Sequence, residues 1–511
     1  MALYECWIKN INMPQLILTS EGYKKIEDIT IGDEILAYDV FTGEVIYNNL
    51  LDKTLWDSEI KEFTGKFYRI NGKWDMYEEQ SIWRNNNEVV HVKELQLGDI
   101  IFDDNNLNVK IISITPVTKS SWWRLHISGD ASFISDGVTF HNASRFWVGG
   151  TGTFDNVTTT HWSATSGGAG GASVPGSADL VNLDSLSGGG TVTLNFSLTV
   201  GGVVGGTHTG TFVVGANTLT MAGSSKFSYT GTGTRTLDLT NSTIGLVGQA
   251  GGGWDCTVVT NMTLISTGST ITGSGGLQNS SFIGGGLSYG TFTATTGGGA
   301  STINGSNTFV NLTLTVSASG RWQILQGQTQ TVTGTFTAQG TSATNFGAIV
   351  VTNSGGVMTR GVTATISAFA VSLTNVIFQD IVGSGLAVWT GTQVGNGGGC
   401  TGITFTVATT RYWVGGTGSY NTTTKWATTS GGASGASIPL PQDTVVFDAN
   451  SVTTAGQVLT FNHSHYPTID FTNILNSPTI TNTLTNGGTY YLGDIILKSG
   501  LTINGANSFI M

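Results

Sequence analysis

The chain has 511 residues and a formal net charge of −11 at pH 7. Its length allows about two to four domains, and an acidic chain without a basic patch argues against nucleic-acid binding. Residues 1–144 hold 13 Lys and Arg against 22 Asp and Glu, whereas residues 145–511 hold only 8 and 10. Because the second stretch lacks charged helix formers and carries most of the 73 glycines, we expect it to be rich in β-strands and turns.

The first stretch has the periodicity of short strands. The run LILTSEGYKKIEDITIGDEILAYD alternates apolar and polar residues and contains turn signals such as Gly32-Asp33. Ile26–Leu36 (IEDITIGDEIL) aligns without gaps on Val92–Phe102 (VKELQLGDIIF). Two copies of one strand–turn–strand unit predict a pseudo-symmetric all-β module.

Three runs of this stretch resemble the opening, middle and end of the Hint module of inteins and hedgehog autoprocessing domains. They are ILTSEGYKKIEDITIGDEILAYD, SIWRNNNEVVHVKELQLGDII and WRLHISGDASFISDGVTFHN. The resemblance covers residues 10–142 and implies a Hint-like β module there. It also implies positions at which self-cleavage chemistry is expected.

Most of those positions are occupied by other residue types. The opening Cys or Ser of the family falls on Asn10, and Cys6 lies four residues too early. The family's Thr-x-x-His motif falls on Tyr77–Gln80, and the closing Asp and His fall on Arg124 and Ala131. Without these groups the first steps of splicing have no reagent.

The dipeptide His141-Asn142 keeps the family's final pair. In that pair the Asn side chain attacks its own backbone carbonyl while the His protonates the leaving amine. Ala143 follows, where splicing needs Cys, Ser or Thr, and Ser144 is one residue out of place. Either cyclisation of Asn142 cuts the chain, or the dipeptide finishes the last strand of a module that has lost catalysis. We expect the second, with His141 and Asn142 vestigial and no catalytic residue.

The second stretch repeats itself. RFWVGGTG at 145–152 returns as RYWVGGTG at 411–418, and the segment 161–184 returns at 425–448. The middle of the repeat that follows this segment is shorter in the second copy than in the first. A stack of similar rungs permits such a loss, because each rung contacts only its neighbours. The expected organisation is an N-terminal segment 1–9, a Hint-like domain 10–144, a first β-repeat copy 145–410 and a second, incomplete copy 411–511.

The repeats consist of short strands of Val, Ile, Leu, Phe and Thr separated by Gly, Asn and Ser turns, as in TVTLNFSLTVGG and TQTVTGTFTAQG. This pattern favours a β-solenoid of the parallel β-helix type over a sandwich. The composition and the motifs WVGGTG and GGAxGASxP resemble repeat regions of phage tail fibres, tail spikes and bacterial adhesins.

Two aspartates recur at one spacing, Asp179 with Asp184 and Asp443 with Asp448. They fit glycosidase carboxylates or calcium ligands on one interpretation, and turn or capping residues on the other. We expect the turn or capping role, because both pairs recur in a repeat.

Four tryptophans recur in the same way, namely Trp147, Trp162, Trp413 and Trp426. We interpret them as apolar plugs at the end of each repeat, with sugar stacking as the alternative. Cys6, Cys256 and Cys400 lie far apart in no metal-ligand spacing, which predicts reduced thiols. We therefore expect no cofactor and no metal.

These features predict a structural protein of a bacteriophage particle, a tail fibre or spike assembled in the host cytoplasm. The Hint-like domain would attach to other virion proteins, and the β-rich shaft, expected as a homotrimer, would adhere to a host surface glycan. No nucleic-acid binding or membrane insertion is expected. The alternatives are a protein that cleaves itself after Asn142 and a polysaccharide-degrading spike. A surface adhesin would need a secretion leader, which is not recognised, and the natural chain is expected to continue past Met511.

We predict that the purified chain has its full length in both the wild type and the Asn142→Ala variant, so that their masses differ only by the substitution itself, because the wild-type chain is not cut after Asn142. Intact-mass spectrometry of both proteins after expression checks this. A wild-type fragment that begins at Ala143 would contradict it.

Overall fold

The structure is a computed structural model. It describes residues 6–8, 16–19, 22–25, 28–29, 34–38, 45–57, 67–71, 74–77, 81–84, 88–91, 95–102, 108–117, 121–127, 133–135, 138–141, 144–163, 165–172, 174–176, 179–221, 226–247, 253–274, 281–296, 299–316, 320–354, 356–357, 360–462, 465–482, 491–492 and 495–505.

The predicted all-β fold class is confirmed, since these residues form 51 strands and two short 3-10 helices but no α-helix. The chain divides into two compact units. One unit comprises Met1–Gly248 with Cys256–Ile265, and the other comprises Gln249–Asp255 with Ser266–Met511. Within the described ranges no helix has the length and hydropathy that crossing a lipid bilayer requires.

The first unit opens with a sheet of 13 strands whose order is β12-β6-β7-β1-β13-β5-β4-β2-β14-β15-β8-β9, with β3 beside β2, and with a separate β10-β11 hairpin. The bounds are β1 Cys6–Ile8, β2 Leu16–Thr19, β3 Gly22–Lys25, β4 Glu34–Tyr38, β5 Val45–Asp57, β6 Phe67–Ile70, β7 Trp74–Tyr77, β8 Ser81–Arg84, β9 Glu88–His91, β10 Ile100–Phe102, β11 Asn108–Lys110, β12 Ile114–Val117, β13 Ser121–Ile127, β14 Phe133–Ser135 and β15 Val138–His141.

The strand pairs of this sheet are antiparallel, as in the long β5–β13 ladder. Strand β1 pairs with both β13 and β7, so the N-terminal segment 1–9 contributes a strand to the sheet. The repeated sequence echo includes the start of β4 in one copy and β10 in the other, and in the sequence a Gly-Asp dipeptide precedes each strand.

The first unit continues as strands that pair in parallel, except for β18, which is antiparallel to β16. Their bounds are β16 Ser144–Trp147, β17 Gly152–Phe154, β18 Trp162–Ser163, β19 Leu180–Asn182, β20 Thr191–Leu194, β21 Leu198–Val200, β22 Gly202–Val204, β23 Thr211–Val213, β24 Thr218–Met221, β25 Phe227–Ser228, β26 Arg235–Asp238, β27 Thr243–Val247 and β29 Met262–Ile265, with a 3-10 helix at Ser185–Ser187. The ladder β17-β20-β23-β26-β29 is parallel at every step. This repeated parallel pairing is a β-helix, which confirms the predicted solenoid.

The second unit is also built from stacked strands. Their bounds are β28 Trp254–Asp255, β30 Thr270–Ser274, β31 Ser281–Ile283, β32 Ser288–Thr296, β33 Ala300–Asn304, β34 Thr308–Val316, β35 Arg321–Leu325, β36 Thr329–Gly340, β37 Gly347–Thr352, β38 Ala364–Phe378, β39 Ile381–Gly385, β40 Gly391–Asn396, β41 Thr410–Trp413, β42 Gly418–Ser419, β43 Trp426–Ala427, β44 Thr444–Val446, β45 Val458–Phe461, β46 His465–Tyr466, β47 Ile469–Asp470, β48 Thr479–Asn482, β49 Tyr491–Leu492, β50 Ile495–Ile496 and β51 Thr502–Gly505, with a 3-10 helix at Thr423–Lys425.

Parallel register places aromatic side chains above one another inside the second unit, as with Tyr289 and Phe309, whose rings are stacked at 5.7 Å. Phe282 also stacks on Phe292 of the following strand, with ring centroids 4.5 Å apart. Trp254 stacks on Phe282 at 6.1 Å with an interplanar angle of 12°. All five side chains are at most 2% exposed, so an aromatic column forms the core here.

A buried amide ladder lies beside this column. Asn307 Nδ2 donates to Gln330 Oε1 at 3.1 Å, and Asn307 Oδ1 accepts from the Gly286 amide at 3.0 Å. Both amide side chains are fully buried, and these bonds satisfy them between rungs. A Cβ on Gly284 would lie 2.2 Å from Asn307 Oδ1, so the ladder requires glycine there.

A polar cluster is buried in the first unit. His208, Tyr229 and Arg235 are at most 1% exposed, and His208 Nδ1 lies 2.7 Å from Tyr229 Oη. The guanidinium of Arg235 donates to the Gly233 and Thr260 carbonyls, and it lies 5.6 Å from the Tyr229 ring centroid. Burial lowers the pKa of His208 to about 4, and the positive charge of Arg235 acts in the same direction.

This cluster predicts a loss of stability in acid. Between about pH 6.5 and about pH 4 the unfolded chain protonates His208 while the folded chain does not. The free energy of unfolding therefore falls as pH decreases through this window, by about 3 kcal/mol at most. The variant His208→Gln should lose less stability over the same window.

Urea unfolding followed by circular dichroism at several pH values measures the difference between the two proteins. If His208→Gln and the wild type lose equal stability between neutral and acidic pH, the assignment of the acid effect to His208 is wrong.

Candidate functional site

Each copy of the repeated sequence begins with the same pair of tryptophans. Trp147 of β16 pairs with Trp162 of β18, and Trp413 of β41 pairs with Trp426 of β43, both in antiparallel register. The ring centroids are 5.1 Å apart in both pairs, with interplanar angles of 86° and 90°. Strands β16 and β41 then pair in parallel with β19 and β44. The repeated motif therefore builds the same rung start twice.

The four indole rings are core side chains. Each is 0% exposed. Trp147 Nε1 donates to the Gly150 carbonyl at 2.7 Å, and Trp413 Nε1 donates to the Gly416 carbonyl at 2.8 Å. Stacking on a sugar requires an exposed ring face, which these rings do not offer. The glycine-rich turn of WVGGTG therefore supplies the carbonyl that accepts the hydrogen bond of the indole N–H.

The residue before the second tryptophan differs between the copies but contacts the same turn. His161 stacks on Trp147 with centroids 4.7 Å apart, and its Nδ1 lies 3.0 Å from the Val148 carbonyl. Lys425 Nζ donates to the Gly415 carbonyl at 2.8 Å. Both side chains supply a donor to the turn.

Asp184 and Asp448 hold turns. Asp184 Oδ1 accepts from the amides of Leu186 and Ser187 and caps the 3-10 helix. Asp448 Oδ1 accepts from the Asn450 amide at 2.9 Å. In these positions the carboxylates are engaged with their own backbone.

Asp179 and Asp443 lie at the start of the same segments. Asp179 Oδ2 accepts from the Gly176 amide at 2.8 Å, and its other oxygen lies 3.9 Å from Arg145 Nη1. Burial raises the pKa of Asp179, and Arg145 opposes that rise. Asp443 accepts from the Leu440 and Thr409 amides. The described residues contain no group of three or more metal-ligating side chains.

The structure describes only the first residue of the dipeptide His141-Asn142. His141 is the last residue of β15, where it pairs with Ser81 of β8. Asn142 lies outside the described residues, so the geometry that would decide its cyclisation is not defined.

Among the described thiols, Cys256 and Cys400 form no disulfide, and burial raises the pKa of Cys400 to about 11.

A surface that the sequence did not delimit runs across the strands β32, β34, β36 and β38 of the second unit. Alternate residues of these strands point inward, as Phe292, Leu312 and Phe336 do at 0% exposed. The outward residues stand in columns set by the parallel register. We call this surface the threonine face, and it consists of Thr291, Thr293, Thr295, Asn311, Thr313, Thr315, Thr335, Thr337, Gln339, Ser372 and Thr374.

Hydrogen bonds link neighbouring rungs of the threonine face. Asn311 Nδ2 lies 3.4 Å from Thr291 Oγ1, and Gln339 Nε2 donates to Thr315 Oγ1 at 3.1 Å. The sequence signal is the repeated T-x-T pattern in TFTATT, NLTLTV and TFTAQG. The signal predicts outward threonines, but which strands lie side by side follows only from the register.

One edge of the threonine face is apolar. Val310 is 50% exposed and precedes Asn311, and Phe369 is 59% exposed and precedes Ala370, the register partner of Thr335. The Ala387 amide donates to the Ala368 carbonyl at 3.1 Å, which brings Leu386 and Val388 to the same edge. Those two side chains are 80% and 79% exposed. We call Val310, Phe369, Leu386 and Val388 the apolar edge.

No protein family matches the sequence, and no curated protein does. Three solved structures to which the chain is similar are an intein-like domain from Clostridium thermocellum, the gp41-1 intein and a DnaB intein from Synechocystis sp. PCC 6803. Identities are 18%, 22% and 14%, and TM-scores are 0.22, 0.21 and 0.22. Each covers 25% of this chain and 94%, 94% and 95% of the other chain. At these TM-scores the likeness carries no argument about chemistry.

The two tryptophan pairs generate a matched prediction. Trp426 Nε1 donates to the Tyr420 carbonyl at 2.8 Å, whereas the buried Trp162 Nε1 has no hydrogen-bond partner among the described residues. Replacement by Phe removes similar volume at both sites. Trp426→Phe also leaves a buried carbonyl without its donor, so it should cost about 1–2 kcal/mol more than Trp162→Phe.

Denaturant unfolding followed by circular dichroism compares the two variants. Val407→Ala, at a side chain 81% exposed, serves as the surface control and should change stability by less than about 0.5 kcal/mol. Equal losses for the two tryptophan variants would show that the Tyr420 hydrogen bond adds nothing.

Proposed function

We propose that the chain is a structural attachment protein of a virus particle, such as a tail fibre or spike of a bacteriophage. Residues 1–142 would join the particle as a Hint-like attachment module. The β-helical rungs would project as a shaft, in a homotrimer, toward a glycan on the host surface.

The observation that carries this proposal is the stack of parallel rungs with an uncharged outer surface. Strands β32, β34 and β36 contain no charged residue, yet their outward side chains form ordered polar columns. A rung stack presents the same chemistry at each step, which suits repeated weak contacts with a polymer.

The recurrence of the rung start supports a modular shaft. Strands β16 and β41 begin stacks with equivalent tryptophan pairs and with equivalent parallel partners, β19 and β44. Because the same motif begins a new stack of rungs in each copy, rungs can be added or lost without a change of fold. Such variation in length favours a projecting structural role over a single catalytic cleft.

Deletion of residues 1–142 tests the division of roles. Because Ser144 begins a new parallel ladder in β16, the remaining chain should fold with the β-rich circular dichroism spectrum of a β-helix. The truncated protein should no longer enter assembled particles. Immunoblots of purified particles from cells that express either form measure incorporation.

A folded truncated chain that enters particles as well as the full chain would contradict the attachment role of residues 1–142. If the truncated chain does not fold, full-length variants with substitutions in β5 and β13 replace it in the same assay. Undiminished incorporation of every such variant would likewise count against the role.

A further inference from the structure

The threonine face has a regular lattice of hydroxyl groups. Adjacent parallel strands lie about 4.8 Å apart, and alternate residues along a strand lie about 6.6 Å apart. Thr293, Thr313 and Thr337 form its central column, in register with one another. Each hydroxyl both donates and accepts a hydrogen bond, so the column can match hydroxyl groups of either polarity.

The face carries no charge. The strands β30, β32, β34, β36 and β38 contain no Asp, Glu, Lys or Arg. An anionic ligand would find no cation on these strands to offset its loss of hydration. The chemistry of the face is therefore complementary to a neutral, hydroxyl-rich ligand.

The apolar edge is too small to be a stable protein interface on its own. Its four side chains together expose on the order of 400 Å², well below the roughly 800 Å² that each partner buries in a stable protein interface. Phe369 offers an exposed aromatic ring next to the hydroxyl columns. An aromatic ring beside convergent polar groups matches a sugar, which has apolar C–H faces and equatorial hydroxyl groups.

We propose that the threonine face and the apolar edge together bind an extended neutral polysaccharide. The sugar rings lie against Phe369, and their hydroxyl groups bond to the threonine columns. This inference rests on the proposed attachment function and names its ligand class, a neutral glycan as opposed to an acidic one.

The test is affinity electrophoresis of the full chain in gels that contain dextran, mannan, hydroxyethylcellulose, polygalacturonate or dextran sulfate. We expect retardation by at least one neutral polymer and none by the two anionic polymers. The variant Phe369→Ser combined with Thr313→Val and Thr337→Val should weaken that binding at least about tenfold. Circular dichroism checks that the variant keeps its thermal unfolding midpoint.

The matched control carries Thr444→Val and Val407→Ser, which make the same kinds of change at exposed residues outside the threonine face and the apolar edge. It should bind like the wild type. The proposal is overturned by equal binding of the triple variant, by retardation in the anionic gels, or by no retardation in any neutral gel. It is also overturned if light scattering shows that the triple variant loses self-association without a change in glycan binding.

These outcomes are separate from those of the particle assay. A chain that enters particles and adheres to cells after the triple substitution keeps the attachment function but places the glycan site elsewhere. A chain that binds neutral glycan through this face and is absent from particles keeps the site and loses the virion role.

Discussion

Hydrogen bonding between successive parallel strands is the constraint on which the β-helical parts of both units depend. Once β34 pairs with β32 and β36 in register, each inward residue must lie above its counterpart in the next rung. Aromatic and aliphatic residues then stack inside, while the alternate residues form columns outside. Both the core and the candidate binding surface follow from this one pairing rule.

The same rule explains how buried polar groups are tolerated. Asn307 and Gln330 stand in adjacent rungs, so that each can bond to the other and to backbone groups of the turn. Arg235 is held by carbonyl groups of neighbouring turns in the first unit. His208 differs from these residues, because its burial favours the neutral imidazole over the charged one and so lowers its pKa.

The sequence of the WVGGTG motif predicts a glycine turn beside a tryptophan, but it does not show whether the tryptophan ring is buried. Glycines of WVGGTG are needed because the turn brings a carbonyl to the indole of Trp147 or Trp413. Sequence alone leaves sugar stacking open for these rings, since exposure is not a property of a motif. Burial depends on β18 and β43, which return in antiparallel register and place the second tryptophan of each pair edge-on against the first.

The sequence by itself determined the all-β class, the parallel β-helix and the positions of the repeated motifs, because these depend on composition and local periodicity. It also indicated turn roles for Asp184 and Asp448, whose partners lie within three residues. Only the tertiary structure decided that Thr313 stands between Thr293 and Thr337, and that Phe369 borders them. Those neighbours are about 20 or more residues apart along the chain, and strand register, which local pattern does not encode, brings them together.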